Sequence, residues 1–145
     1  EIKDLLKISR FKHYEEDETI INIGDKDLYI YIIITGKVKI IKREDESNEE
    51  ILIGNLNEGE HFGETSLFSS KSDKYLVEII SEEATEVIKI ERNQLLKFFN
   101  THHRSRVKLL LYLSKKLNDR LEELTERFTD HKKRDIDLSQ KFEEK

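Results

Sequence analysis

Apolar positions change their period along this chain, and the changes divide it. Ile2, Leu5, Leu6 and Ile8 follow a helical spacing and predict a short helix over the first nine residues. From Phe11 onward the pattern turns to strands. Residues 19–23 read Thr-Ile-Ile-Asn-Ile and end at Gly24-Asp25, a turn signal. Residues 28–35 are a dense β-branched and aromatic run closed by Gly36. Residues 37–42 set lysines against Val and Ile, as a half-buried strand requires. Residues 43–50 are wholly polar and predict a hairpin tip, after which 51–53 resume a strand that 57–60 break. Residues 75–80 and 85–90 predict two more strands around a polar turn at Ser81, Glu82 and Glu83. Many short strands at close spacing predict a sandwich or barrel.

Beyond Ile90 the period becomes helical. Asn93 is placed to cap a helix over 94–99. A long helix is predicted over 104–128. Within it Val107, Leu110, Ser114, Leu117, Leu121, Leu124 and Phe128 follow alternating spacings of three and four, the a/d seam of a coiled coil. Leu109, Tyr112 and Leu113 fall beside the seam and offer a second apolar face for the strands. One amphipathic helix on a monomeric core is the simpler reading. Past Arg120, however, Glu122, Glu123, Glu126 and Arg127 already cover the other faces, and a bare Leu121-Leu124-Phe128 stripe calls for a partner. A homodimer is therefore expected. Residues 130–145 are highly charged, with Ile136, Leu138 and Phe142 their only apolar members, and Asp135 or Asp137 could cap a further helix. The expected organisation is a β domain over 1–100, a dimerisation helix over 101–129, and a hinge with the start of another domain over 130–145.

Composition narrows the class. The chain is 36% hydrophobic and 39% charged, so its core must draw on the apolar residues concentrated between positions 20 and 90. No apolar run is long enough to span a bilayer, and the start lacks the form of a secretory signal. The absence of cysteine excludes disulfides and thiolate metal sites and fits a reducing cytoplasm, the expected location. A net charge of -5 argues that this stretch is not itself a nucleic-acid-binding surface. Beginning at Glu1 and holding no Met, it is expected to be a piece of a longer protein.

The sharpest chemical signal is Gly59-Glu60-His61-Phe62-Gly63-Glu64-Thr65-Ser66-Leu67. Two glycines frame an acidic residue at the mouth of a short helical turn. That arrangement suits an anion cradle: Gly63 permits close backbone approach, and the amides that follow, Thr65 and Ser66 among them, can face a ligand. Glu64 would repel a phosphate, so its expected partner is a hydroxyl such as a ribose 2′-OH. The plainer alternative is a β-turn carrying a surface glutamate. No histidine among His13, His61, His102, His103 and His131 pairs with another at i, i+4, so no metal site is predicted. No P-loop or recognisable Ser/His/Asp arrangement is present, and the carboxylates lie in solvated charge runs; no catalytic residue is assigned and an enzyme is not expected.

The order Gly24-Asp25, Tyr31-x-Ile33, Gly36-x-Val38-x-Ile40, hairpin, Phe62-Gly63-Glu64 resembles the cyclic-nucleotide-binding domain. The long helix, with Leu113-Ser114-Lys115-Lys116-Leu117 and the later Arg134-Asp135-Ile136, is similar to the dimer helix and hinge of Crp/Fnr transcription regulators. The resemblance covers nearly the whole chain. It implies a mainly β fold with α, a double-stranded β-helix (jelly-roll) effector domain followed by a long dimerisation helix. It also implies that Phe62-Gly63-Glu64 opens a phosphate-binding cassette in which Glu64 meets a ribose. The family's phosphate-binding arginine, about ten residues later, falls at Lys74 or Tyr75 here. Its small neighbours are replaced by bulky residues drawn from Tyr75, Leu76 and Val77, and no arginine lies between Arg43 and Arg92. A lysine supplies a point charge but not the bidentate fork. That loss costs on the order of 2–5 kcal/mol, or roughly 30- to 4,000-fold in affinity.

The implied effector residues are Gly63, Glu64, Thr65, Ser66, Lys74 and Tyr75. A cyclic nucleotide is one candidate effector. Family members lacking the arginine often sense haem or a small metabolite, and His61 is then the one candidate axial ligand. The implied function is the sensing and dimerisation part of a Crp/Fnr-type regulator, in which effector binding controls helix-turn-helix domains beyond Lys145. DNA would be contacted only there. The alternatives are a cyclic-nucleotide module of a kinase, channel or other non-DNA-binding protein, and an interaction domain with a degenerate pocket.

Overall fold

The computed structural model describes residues 2–26, 28–64, 67 and 75–143. A short helix α1 (Ile2–Ile8) leads into strands β1 (Ser9–Tyr14), β2 (Thr19–Ile21), β3 (Tyr29–Thr35), β4 (Lys37–Arg43), β5 (Glu50–Asn57), β6 (His61–Phe62), β7 (Glu78–Ser81) and β8 (Thr85–Glu91). Helices α2 (Arg92–Thr101) and α3 (His103–Glu143) follow. The strands form two antiparallel four-stranded sheets, ordered β1-β8-β3-β6 and β2-β7-β4-β5. This is the expected jelly roll. By contacts the chain divides into two compact units, Glu1–Lys108 and Leu109–Lys145.

Alternation along each strand decides which residues enter the core. Tyr31, Ile33 and Val87 share one face of the first sheet, since Ile33 pairs with Val87 and Tyr31 with Phe62. With Ile21, Val38, Leu56 and Ile79 from the other sheet they make the buried cluster between the layers. Ile30 and Ile90 also pair and are buried, but on the reverse face. Helix α2 packs against β8 and α1 against α2, with Leu95, Phe98 and Phe99 of α2 buried.

Several boundaries differ from expectation. The strand predicted over 75–80 begins only at Glu78. Tyr75 instead bonds to the turn at 24–25: its carbonyl accepts from the Gly24 amide (2.9 Å) and its amide donates to the Asp25 carbonyl (3.3 Å). Ser81 is not an exposed turn residue but the buried last residue of β7, its hydroxyl accepting from the Glu18 amide (3.1 Å) and donating to main-chain carbonyls. Helix α2 is capped by Glu91, whose carboxylate accepts from the amides of Asn93 and Gln94 at 3.0 and 2.9 Å. A carboxylate both caps the free amides and complements the helix dipole, so the register falls two residues before Asn93.

The long helix does not stop near Phe128. It runs unbroken to Glu143, so Asp135 and Asp137 lie inside it rather than capping another. The sequence contains no proline, and all five glycines precede Glu64, leaving no breaker along the helix. Asp130 and Arg134, like Asp137 and Lys141, stand four apart with the acid first, the favourable order.

Tyr75 joins these elements to the site described next. Its hydroxyl donates to the Tyr29 carbonyl (2.8 Å) and accepts from the Tyr29 amide (2.9 Å). Burial raises its pKa above the ordinary phenol value, so it stays protonated across the physiological range. Replacing Tyr75 with Phe removes the partner of two backbone groups at once. The expected cost is about 1–3 kcal/mol, read as a lower urea midpoint at unchanged slope.

Candidate effector site

The sequence-predicted cassette begins on β6, the edge strand beside β3. Register sets Phe62 opposite Tyr31, and their rings stack with centroids 4.6 Å apart and planes within 9°. Phe62 is therefore core, 3% exposed, and fixes where the next residue leaves the sheet. Gly63 has φ +85°, and a Cβ built on it would collide with the Tyr29 carbonyl oxygen. Only glycine satisfies both constraints. The close approach that Gly63 permits is made to the protein's own strand. Tyr29 thus holds the chain at Gly63 on one side and at Tyr75 on the other.

Past Gly63 the chain turns, and Glu64 comes back against His61. The His61 Nδ1–H donates to Glu64 Oε2 at 3.2 Å. Neither group is at the surface: the His61 side chain is 0% exposed and that of Glu64 8%. The expectation of a surface glutamate on a plain turn does not hold. Burying a carboxylate costs several kcal/mol unless donors meet it, and the imidazole is one such donor. The amide of Leu67 donates to the Glu64 carbonyl at 3.0 Å.

Of the predicted effector residues, Gly63, Glu64 and Tyr75 are brought together around Tyr29, whereas Thr65, Ser66 and Lys74 lie outside the described residues. The Tyr75 ring is 7% exposed and belongs to the core cluster. His61, considered as an axial haem ligand, is enclosed by protein and faces a carboxylate. A flat macrocycle would have to displace that packing to reach it.

Two features escaped the sequence reading. The pairing of His61 with Glu64 was visible only as an i, i+3 spacing across a glycine, which is common and uninformative alone. The second is a cation: Lys89 Nζ stands 4.3 Å over the Tyr29 ring, from the strand β8. It is partly buried, and β-alternation places it on the same face as Tyr31. Nothing in the local sequence separates this lysine from the other surface lysines. Among the described residues no group of three or more His, Asp or Glu side chains could hold a metal ion. No helix among them is long and apolar enough to cross a membrane.

The predicted seam is open along the distal helix. Leu117, Leu121, Leu124 and Phe128 are 40%, 63%, 57% and 64% exposed, and Val107 is 52% exposed. The intervening positions bond within the helix: Arg127 to Glu123 at 2.9 Å, and Asn118 to Glu122 at 3.3 Å.

Gly63 and Gly59 both have positive φ, +85° and +81°, but nothing lies within 4 Å of a Cβ on Gly59. Gly59→Ala should therefore cost only the backbone strain, about 1 kcal/mol. Gly63→Ala adds a collision with Tyr29 and should lower the urea midpoint markedly more. Equal midpoints would contradict the close approach.

Residues 11–102 match the cyclic nucleotide-binding domain. The cAMP-activated global transcriptional regulator Vfr of Pseudomonas aeruginosa is 38% identical over 63 residues, which is 43% of this chain and 29% of Vfr. The CRP-like protein Clp of Xanthomonas campestris is 30% identical over 123 residues, 81% of this chain and 53% of Clp. This chain thus spans about half the length of Clp, and a smaller share of Vfr. The solved structure of the c-di-GMP-responsive global regulator CLP of Xanthomonas campestris superposes with TM-score 0.75 at 28% identity, over 83% of this chain and 57% of that one. That of the EAL enzyme Bd1971 superposes with TM-score 0.58 at 27% identity, over 77% of this chain and 97% of that one.

Proposed function

Because this chain belongs to the cyclic nucleotide-binding domain family, matched from residue 11 to 102, we propose that it is the effector-sensing and dimerisation part of a CRP-type transcriptional regulator. The observation that carries this reading is the Phe62-Gly63-Glu64 block, locked on β3 by the Phe62 ring stacked on Tyr31 and by a glycine against the Tyr29 carbonyl that nothing else can replace. A site so anchored holds its carboxylate in place before a ligand arrives, which lowers the ordering cost of binding. The named relatives fit: Vfr is cAMP-activated and CLP responds to c-di-GMP, and both carry a ribose. Glu64 is the group that accepts from a ligand hydroxyl, while Gly63, Thr65, Ser66 and Tyr75 shape the site and Lys74 is its weaker cation. The module binds and signals rather than catalyses, and it works in the cytoplasm.

Output runs through the helix. The seam from Val107 to Phe128 pairs with that of a second copy, and an effector that binds two dimer geometries unequally shifts their balance. DNA contacts belong to residues beyond Lys145, since the net charge here is -5. A second reading, a sensor module serving a protein that does not bind DNA, is favoured by the likeness to the EAL enzyme Bd1971.

The assembly is tested by sedimentation. The chain should be dimeric at tens of micromolar, an order-of-magnitude choice suited to a ~3-heptad seam. Leu121→Glu should make it monomeric without unfolding, because a charge at a seam position has no partner there. A wild-type monomer at that concentration overturns the seam.

The missing arginine is tested by calorimetric titration. Affinities for cAMP and cGMP should be no tighter than about 100 µM, near -5.5 kcal/mol. Lys74→Arg alone should not restore binding, since Tyr75 and Leu76 are bulkier than the residues the family places there. A low-micromolar constant for the unaltered chain would show that an arginine is dispensable.

A further inference from the structure

We propose that His61 is a positioning residue of the effector site, fixing through its Nδ1–H the carboxylate of Glu64 for a ligand hydroxyl. The inference rests on the reading of Glu64 as the hydroxyl acceptor and adds a second residue to it. His61 and Glu64 are the two buried titratable side chains among the described residues that lie on the cassette, and they are 3.2 Å apart.

The fold sets this pair without help from a ligand. His61 is held by register opposite Ile32 of β3, so its ring cannot slide along the strand. Phe62, next in sequence, is stacked on Tyr31, which fixes the backbone that carries the imidazole. The left-handed turn at Gly63 then brings Glu64 back to the same side. A free glutamate at a turn would sample several rotamers and meet a hydroxyl only in some. Tied at Oε2 to a buried ring, its carboxylate is held beside His61. An ionised carboxylate has about four lone-pair sites, of which the bond from His61 takes one.

The Glu64 side chain is only 8% exposed, so its carboxylate needs a donor that water cannot supply, and the His61 N–H is one. His61 performs this service from the face of β6 opposite Phe62 and the inter-sheet core. It would not touch the effector, and its effect is transmitted through Glu64.

The test separates positioning from packing. Asn places its amide N–H near the position of Nδ1, Gln places its own near Nε2, and Phe keeps the ring without a donor. Wild type, His61→Asn, His61→Gln and His61→Phe are titrated by calorimetry with cAMP and with its 2′-deoxy analogue up to millimolar concentration. Thermal unfolding is recorded for each. Wild type and His61→Asn should prefer the ribo form by about tenfold, the worth of a hydrogen bond to a charged group. In His61→Phe and His61→Gln the ratio should fall to about one, while the weak affinity for the deoxy form is kept. Should His61→Phe not fold, the contrast of Asn with Gln carries the result. An undiminished preference in the Phe and Gln variants overturns the positioning role alone. A wild type that binds both nucleotides equally, or neither, overturns the reading of Glu64 and this inference with it.

Discussion

The backbone of Tyr29 is the point on which the sensor domain closes. Its carbonyl accepts the Tyr75 hydroxyl and leaves no room for a side chain on Gly63, while its amide donates back to the same hydroxyl. Positions 29, 63 and 75 are remote in sequence, so one peptide unit draws three distant segments together. Both ends of the stretch between Gly63 and Tyr75 are thereby held to a central strand. Because Tyr29 pairs with Glu91 at the end of β8, the same unit lies beside the start of α2. The Arg92 amide donates to the neighbouring Leu28 carbonyl at 3.0 Å, which ties the helix entry to this corner.

Electrostatics follow from that closure. Bringing Gly63 against β3 carries Glu64 inward, where its charge needs donors; His61 is one, and it too is inside. The family's arginine has no counterpart between Arg43 and Arg92. Lys89 instead stands over Tyr29, from strand β8. A lysine stacked on a ring keeps much of its hydration and offers a point charge, so it cannot reproduce a bidentate grip on a phosphate.

The two units answer to different physics. The β domain is stabilised by the apolar cluster between its sheets, which residues far apart in sequence supply. The distal helix is built from local terms: no glycine or proline, i, i+4 pairs of opposite charge, and back-bonds such as the Thr125 hydroxyl to the Leu121 carbonyl at 2.8 Å. Local terms alone leave a helix marginal in water, and an exposed Leu121-Leu124-Phe128 stripe adds to that deficit. Association of two such helices would remove both problems together.

The strands and the long helix were legible from residue order because each depends on a local period. Alternation marks a strand, a three-and-four spacing marks a seam, and Phe62-Gly63-Glu64 stands out as a block. The misplaced boundaries before the long helix involve partners distant in sequence or a choice between competing caps. Tyr75 leaves the β7 strand because its backbone pairs with the turn at 24–25. Ser81 is buried because the backbone at Glu18 needs its hydroxyl. Glu91 outcompetes Asn93 as a cap because β8 ends where its carboxylate reaches the helix amides. The site divides in the same way. Sequence by itself singled out Gly63 and Glu64 as candidates for a cassette and determined that no arginine lies between Arg43 and Arg92. Only the tertiary structure decided that Glu64 is buried, that His61 is its donor and that Lys89 stands nearby, because burial and charge pairing are set by which strands lie side by side.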